Sequence, residues 1–174
     1  MVVRLRAADP LGVQALHELY RDALLRFCWG YLGSMEEAED AVQEIFCKVI
    51  AVREVPEFFR AWLYKIARNH CLNVLREKAA RKDHRRMPAA SQVFEAITGH
   101  LTRLARDEMQ AKVIALVQSL PEGHREVLRL RYVEDLSRAE IAEVLEITET
   151  LVKSRLFEGL KRLREYAADL GEPA

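Results

Sequence analysis

Residues 137–164 read SRAEIAEVLEITETLVKSRLFEGLKRLR, and this stretch decides how the chain folds. Ser137 precedes Glu140 by three positions, the spacing of a capping box, in which the serine oxygen and the glutamate carboxylate each satisfy an orphan backbone donor at a helix start. A helix is therefore expected from there to about Leu145, and Thr148 or Thr150 is placed to cap a second one. In that second helix Val152, Leu156, Leu160 and Leu163 recur on one face, so Thr150, Ser154, Phe157, Glu158 and Lys161 point away from the core. Two helices joined by three or four residues, the second carrying polar and basic groups outward, place a recognition helix in the major groove of DNA. The competing reading is an amphipathic hairpin whose charged face is merely solvated. Two details stand against the DNA reading: the turn lacks a glycine, and Glu158 is an acid on the face that would meet phosphates.

The rest of the chain bears on that choice. It has 174 residues, half of them hydrophobic, enough for one domain or two small ones with real cores. The N-terminal residues MVVRLRAADP lack the apolar stretch of a signal peptide, and no run of about 18 apolar residues occurs, so a cytoplasmic protein without membrane insertion is expected. Cys28, Cys47 and Cys71 are odd in number and show no CxxC spacing, which argues for buried free thiols rather than disulfides or a metal site. His70 and Cys71 point about 100 degrees apart on a helix and do not converge on one ion. No metal or cofactor is expected. Nor is an enzyme, since no nucleophile with a base, paired carboxylates or phosphate-cradling glycine loop is found.

Formal net charge is zero, yet the charge is segregated. Residues 36–57 carry seven acids (Glu36, Glu37, Glu39, Asp40, Glu44, Glu54, Glu57) against Lys48 and Arg53, a balance of minus five. Residues 60–86 carry nine bases against Glu77 and Asp83, a balance of plus seven. Adjacent patches of opposite sign point to two partners, a basic protein surface for the first and a polyanion for the second.

Helical periodicity runs throughout, so an all-α protein is expected. A first helix reads from Leu11 to about Tyr31; after Gly33, Ser34 and Glu37 form a second capping box that opens a helix from Met35 to about Val52. Pro56 opens a third, from Glu57 to about Lys78. There Leu63, Ile66, Ala67 and Val74 face inward while Lys65, Asn69, Asn73 and Arg76 stack along another face at spacings of four, four and three. With Phe58, Phe59, Trp62 and Tyr64 close by, that face suits unpaired bases, which asparagine hydrogen-bonds, aromatics stack upon and cations hold by their phosphates. Core packing is the alternative for those aromatics. Periodicity weakens beyond the third helix and returns near Val113. The organisation expected is thus a three-helix domain over 1–79, a flexible linker over 80–106 with a possible short helix near 93–101, and a helix-turn-helix domain of about four helices over 107–174.

Taken in order, three segments resemble the bacterial RNA polymerase sigma factors of the extracytoplasmic function (ECF) group, the smallest members of the sigma-70 family. AEDAVQEIFCKVI (38–50) is similar to the region two motif that binds the clamp helices of the largest polymerase subunit. The resemblance implies that Asp40, Gln43, Glu44 and Phe46 make that contact. FRAWLYKIARNHCLNVLRE (59–77) resembles the part of region two that reads the melted minus-ten element, implying roles for Phe59, Lys65, Asn69, Asn73 and Arg76. Residues 120–164 are similar to region four, which reads the minus-thirty-five element as duplex and docks on the flap of the second-largest subunit. That implies DNA contacts from Thr150, Lys153, Ser154, Arg155, Phe157 and Lys161. A stress-responsive promoter-specificity subunit held in check by an anti-sigma protein is what the group implies. Departures are local: TETLVKSR stands where most relatives have VGTVKSR, and Glu158, Gly159 and Leu160 stand where relatives often place arginines. A stand-alone helix-turn-helix regulator with an N-terminal sensor or dimerisation domain is the alternative.

Overall fold

The computed structural model describes residues 10–52, 56–81 and 120–171. Within them it contains six helices and no strand: α1 (Pro10–Leu32), α2 (Met35–Ile50), α3 (Phe59–Arg81), α4 (Glu122–Tyr132), α5 (Arg138–Leu145) and α6 (Glu149–Gly171). The chain divides into two compact units, Met1–Ala96 and Ile97–Ala174. Most of the expected linker, the short helix near 93–101 and the helix expected ahead of Leu120 lie outside the described residues. Among the described residues, no helix is long and apolar enough to cross a membrane.

In the first unit α1, α2 and α3 pack around one core. Leu16, Leu24, Phe27 and Cys28 of α1 meet Ala38, Ala41, Ile45 and Val49 of α2 and Ala61, Leu63, Tyr64, Ala67 and Cys71 of α3, all buried. The residues at 64, 67 and 71 recur at three and four, one stripe of a helix, and small Ala67 lets α3 approach closely. Tyr64 meets the Phe27 ring edge-on, centroids 5.1 Å apart, an arrangement favoured by the ring quadrupoles. Gly33, with φ 70°, makes the turn from α1 to α2, a backbone conformation glycine adopts freely.

At the start of α2 the Ser34 hydroxyl accepts the Glu37 amide, as the sequence predicts. The reciprocal half of the box is replaced by a tertiary contact: the Glu37 carboxylate pairs with Lys78 near the end of α3. Helix α3 begins two residues later than expected, at Phe59, and that phase turns the Phe59 ring inward. Two of the three thiols, Cys28 and Cys71, are buried, whereas Cys47 is exposed, contrary to expectation, because the buried stripe of α2 runs through Ala38, Ala41, Val42, Ile45 and Val49 and leaves position 47 outside.

The second unit is built on Val127, Leu130, Leu136, Ile141, Val144 and Val152, all buried, with Leu120 closing one side. Both halves of the Ser137 capping box are present: the Ser137 hydroxyl accepts the Glu140 amide at 3.2 Å and the Glu140 carboxylate accepts the Ser137 amide at 2.8 Å. Glu146 ends α5 in the left-handed region at φ 54°, doing with a side chain present what glycine does at most helix C-termini. Thr148, not Thr150, caps α6, accepting the Leu151 amide at 3.2 Å. A side chain at Gly159 would meet Leu128 at 3.0 Å, so the bare backbone there sets how near α6 lies to α4.

Candidate nucleic-acid interface

Three surfaces were expected, and the described residues place them on two units. On α2, Asp40, Gln43 and Glu44 are exposed. Their spacing of three and four puts them on the face opposite the buried Ala41, Val42 and Ile45. Phe46 departs from this group. Its ring is 8 % exposed and packs on His17 of α1 with centroids 5.1 Å apart, so it fastens α2 to α1 instead of offering a surface.

On α3, Asn69, Asn73 and Arg76 are exposed and Lys65 is half-buried. Arg76 Nη1 donates to Asn73 Oδ1 at 3.0 Å, which orders that amide and leaves its NH2 group directed elsewhere. Phe59 does not share that exposure. It is 6 % exposed, edge-on to Tyr20 at 5.9 Å and near Trp62 at 5.8 Å, and therefore belongs to the core. Its neighbour Phe58, in the turn ahead of α3, is 65 % exposed. Adjacent aromatics at a helix start cannot both face inward, and the phase of α3 decides which one does.

The acidic face of α2 and the edge of the α3 asparagine face at Asn73, separate patches in the sequence, meet in one groove. Asp40, Glu44 and Lys48 line one wall and His70, Asn73 and Glu77 the other. Lys48 bridges the walls, 3.8 Å from Glu44 and 3.1 Å from His70 Nδ1. An ammonium group only donates, so Nδ1 accepts and the imidazole is neutral with its hydrogen on Nε2. Burial first, then the Lys48 charge, push the His70 pKa below its ordinary value, against the opposing pull of Glu44 and Glu77. Among the described residues no group of His, Cys, Asp and Glu is arranged to hold a metal ion.

In the second unit α4, α5 and α6 form a three-helix arrangement with α6 presenting Thr150, Lys153, Ser154, Phe157 and Lys161 to solvent. Phe157 is 66 % exposed, a large apolar ring kept outward by the phase that buries Val152 and Gly159. Arg155 differs from its neighbours: it is half-buried, and its guanidinium lies where a side chain at Gly123 would be, 2.9 Å from that position. Glu158 is tied from two sides. His124 Nε2 of α4 lies 3.1 Å from Oε2, and Ser154 Oγ donates to Oε1 at 3.1 Å. These two hydrogen bonds, His124 first, hold the Glu158 carboxyl below the usual range. Phe58 is among the aromatics that the sequence places beside the base-reading face, whereas nothing local marks His124, which is 34 residues from Glu158.

The match to known proteins agrees with this arrangement at both ends of the chain. Residues 16–81 match the profile described as Sigma-70 region 2, and residues 110–163 that described as Sigma-70, region 4. The ECF RNA polymerase sigma factor SigW of Bacillus subtilis is 30% identical over 97% of this chain and 96% of its own length. The chain belongs to the ECF sigma factors. The RNA polymerase sigma-H factor of Pseudomonas aeruginosa is 31% identical over 90% of this chain and 86% of that protein. Among solved structures, CnrH in complex with the cytosolic domain of CnrY has the same fold, with a TM-score of 0.66 at 21% identity over 98% of this chain and 96% of that one. As an ECF sigma factor the chain is a promoter-specificity subunit, partnering RNA polymerase and promoter DNA in transcription initiation. The stand-alone regulator is set aside, because both regions match in order in one chain.

Proposed function

We propose that the exposed acids of α2, Asp40 and Glu44 with Gln43 between them, dock on the clamp helices of the largest polymerase subunit, and that Asn69, Asn73 and Arg76 of α3 hold the melted minus-ten strand. The observation that carries this is the shared groove, in which Asp40 and Glu44 lie across from Asn73. A partner helix on the acidic side and a single strand on the asparagine side then approach one seam, so holoenzyme assembly shapes the surface that receives the strand. Phe58 takes the stacking role first expected of Phe59, because stacking needs an exposed ring. Extruding a base costs a few kcal/mol, and base contacts with Asn69 and its neighbours offset it.

The second unit reads the minus-thirty-five duplex through Thr150, Lys153, Ser154, Phe157 and Lys161, with the polymerase flap supporting it. Arg155 turns toward Gly123 and is assigned to orienting α4 against α6 as much as to DNA. About three phosphate contacts would give a salt slope of roughly minus three, which is weak binding. Joining both readers on one polymerase makes the second contact intramolecular and raises avidity about a hundredfold or more. The chain thus works by binding alone, in the cytoplasm beside the polymerase, and an anti-sigma protein that covers the same faces would silence it.

Exchange of Asp40 and Glu44 for lysine tests the first assignment. Affinity for core polymerase, read by fluorescence anisotropy of the labelled chain, should fall at least tenfold while duplex binding by the second unit is retained. Unaltered core affinity would remove the acidic face from the contact.

A further inference from the structure

Glu158 is an acid in the middle of a face otherwise furnished with hydroxyls, a ring and cations. An acid free to swing away would cost such a face little. This one is not free. Its carboxylate is fixed by Ser154 one turn earlier and by His124 from α4, whose side chain is 15 % exposed and so has little room to leave. An ionised carboxylate only accepts, so His124 Nε2 carries the hydrogen in this pair. Each oxygen has one donor and keeps one lone-pair direction unfilled, and the side chain is 52 % exposed. Arg162, one turn further along α6, adds an attractive charge. The result is an immobilised acceptor on a helix face that meets the major groove.

In the major groove cytosine N4 and adenine N6 donate, whereas guanine O6 and N7 and thymine O4 only accept. We propose that Glu158 is a specificity-determining residue of the duplex reader, aimed by His124 as a positioning residue, and that it takes an exocyclic amino group of cytosine or adenine. The inference rests on the assignment of α6 to duplex DNA. It gives the acid two effects at once: it attracts an amino edge at one position and repels keto edges there. Ser154 shares the carboxylate, so a hydroxyl that would otherwise face the DNA is partly committed to orienting Glu158.

The test is transcription by holoenzyme from a promoter library randomised through the minus-thirty-five element, read by sequencing the transcripts. For the wild-type chain one position should favour cytosine or adenine on one strand by about tenfold over guanine or thymine. Enrichment of one amino base over the other identifies which is read. Glu158→Ala should flatten that position alone. His124→Ala should weaken the same preference several-fold, and His124→Gln, whose amide can donate to the same oxygen, should restore it. The inference is overturned if Glu158→Ala scales every promoter by one factor or leaves the profile unchanged. A wild-type profile with no preference at any position of the element would overturn the assignment of α6 to duplex DNA, and this inference with it.

Discussion

Lys78, in the last turn of α3, pairs with Glu37, in the first turn of α2, and closes the three-helix unit at the end where the basic helix leaves it. Both side chains are about one-third exposed, and Glu37 Oε2 is buried with no hydrogen-bond partner. The ammonium is therefore what compensates that carboxylate. Lys78→Ala should lower the stability of the first unit by about 1 kcal/mol, and adding Glu37→Gln should recover part of the loss. Urea unfolding followed by tryptophan fluorescence reads this unit selectively, because both tryptophans, Trp29 and Trp62, lie within it. An unchanged midpoint in Lys78→Ala would contradict the compensating role.

Phe58 and Phe59 should separate stability from activity. Phe59→Ala removes a buried ring and should destabilise the first unit by about 3 kcal/mol. Phe58→Ala should leave the urea midpoint unchanged and reduce open-complex formation about tenfold through the loss of one stacking platform. Permanganate footprinting of melted thymines, alongside the unfolding curves, checks both. The reverse pattern would restore Phe59 to the DNA.

The Glu146 backbone conformation predicts opposite signs for two substitutions. At φ 54° glycine is unstrained, so Glu146→Gly should be neutral to stabilising by about 0.5–1 kcal/mol, whereas β-branched Glu146→Val should destabilise by more than about 1 kcal/mol. Hydrogen exchange of the α5 amides gives the local free energy. Equal effects of the two would mean that the turn relaxes to another conformation.

His70 predicts a pH dependence. Its pKa in the folded chain lies below the unfolded value of about 6.5, owing to burial and then Lys48. Between the two values the unfolded chain binds the proton and the folded chain does not, so stability rises with pH across that window and is lost on acidification below about 6.5. His70→Gln should flatten this slope in the first unit, and Lys48→Met should narrow the window without abolishing it. A slope unchanged in His70→Gln would assign the dependence to other groups.

Asn69→Ala should impair DNA melting more than initial duplex binding, since Asn69 is exposed on the α3 face assigned to the single strand. Open-complex lifetime and closed-complex affinity, measured on one promoter, separate the two. Equal losses would contradict its assignment to the melted strand.

Local signals in the sequence are sufficient for the boundaries of α4 and α5. The Ser137 and Glu140 pair names α5 because a capping box involves four consecutive residues and no tertiary partner. The Ser34 and Glu37 pair has the same spacing, and only its serine half forms, because Lys78, 41 positions on, takes the carboxylate. The burial of Phe46 and Phe59 escapes the sequence for a related reason. A periodic pattern shows that a helix has an inner face, but a one-residue difference in phase at α3 decides between Phe58 and Phe59, and the position of α1 decides where Phe46 goes. The awkward acid Glu158 was visible in the sequence, yet its tether to His124 was not, since that contact exists only once α4 and α6 are packed.

In the proposed function one chain joins two weak DNA readers through RNA polymerase. Run-off transcription with purified core enzyme, on templates in which the spacing between the minus-thirty-five and minus-ten elements is varied by single base pairs, tests it most directly. Transcripts are expected only when core enzyme and this chain are both present, with a sharp optimum in spacing, and no stable shift of the promoter is expected from the chain alone. A chain that shifts the promoter by itself, and leaves core-enzyme transcription unchanged at every spacing, would contradict it.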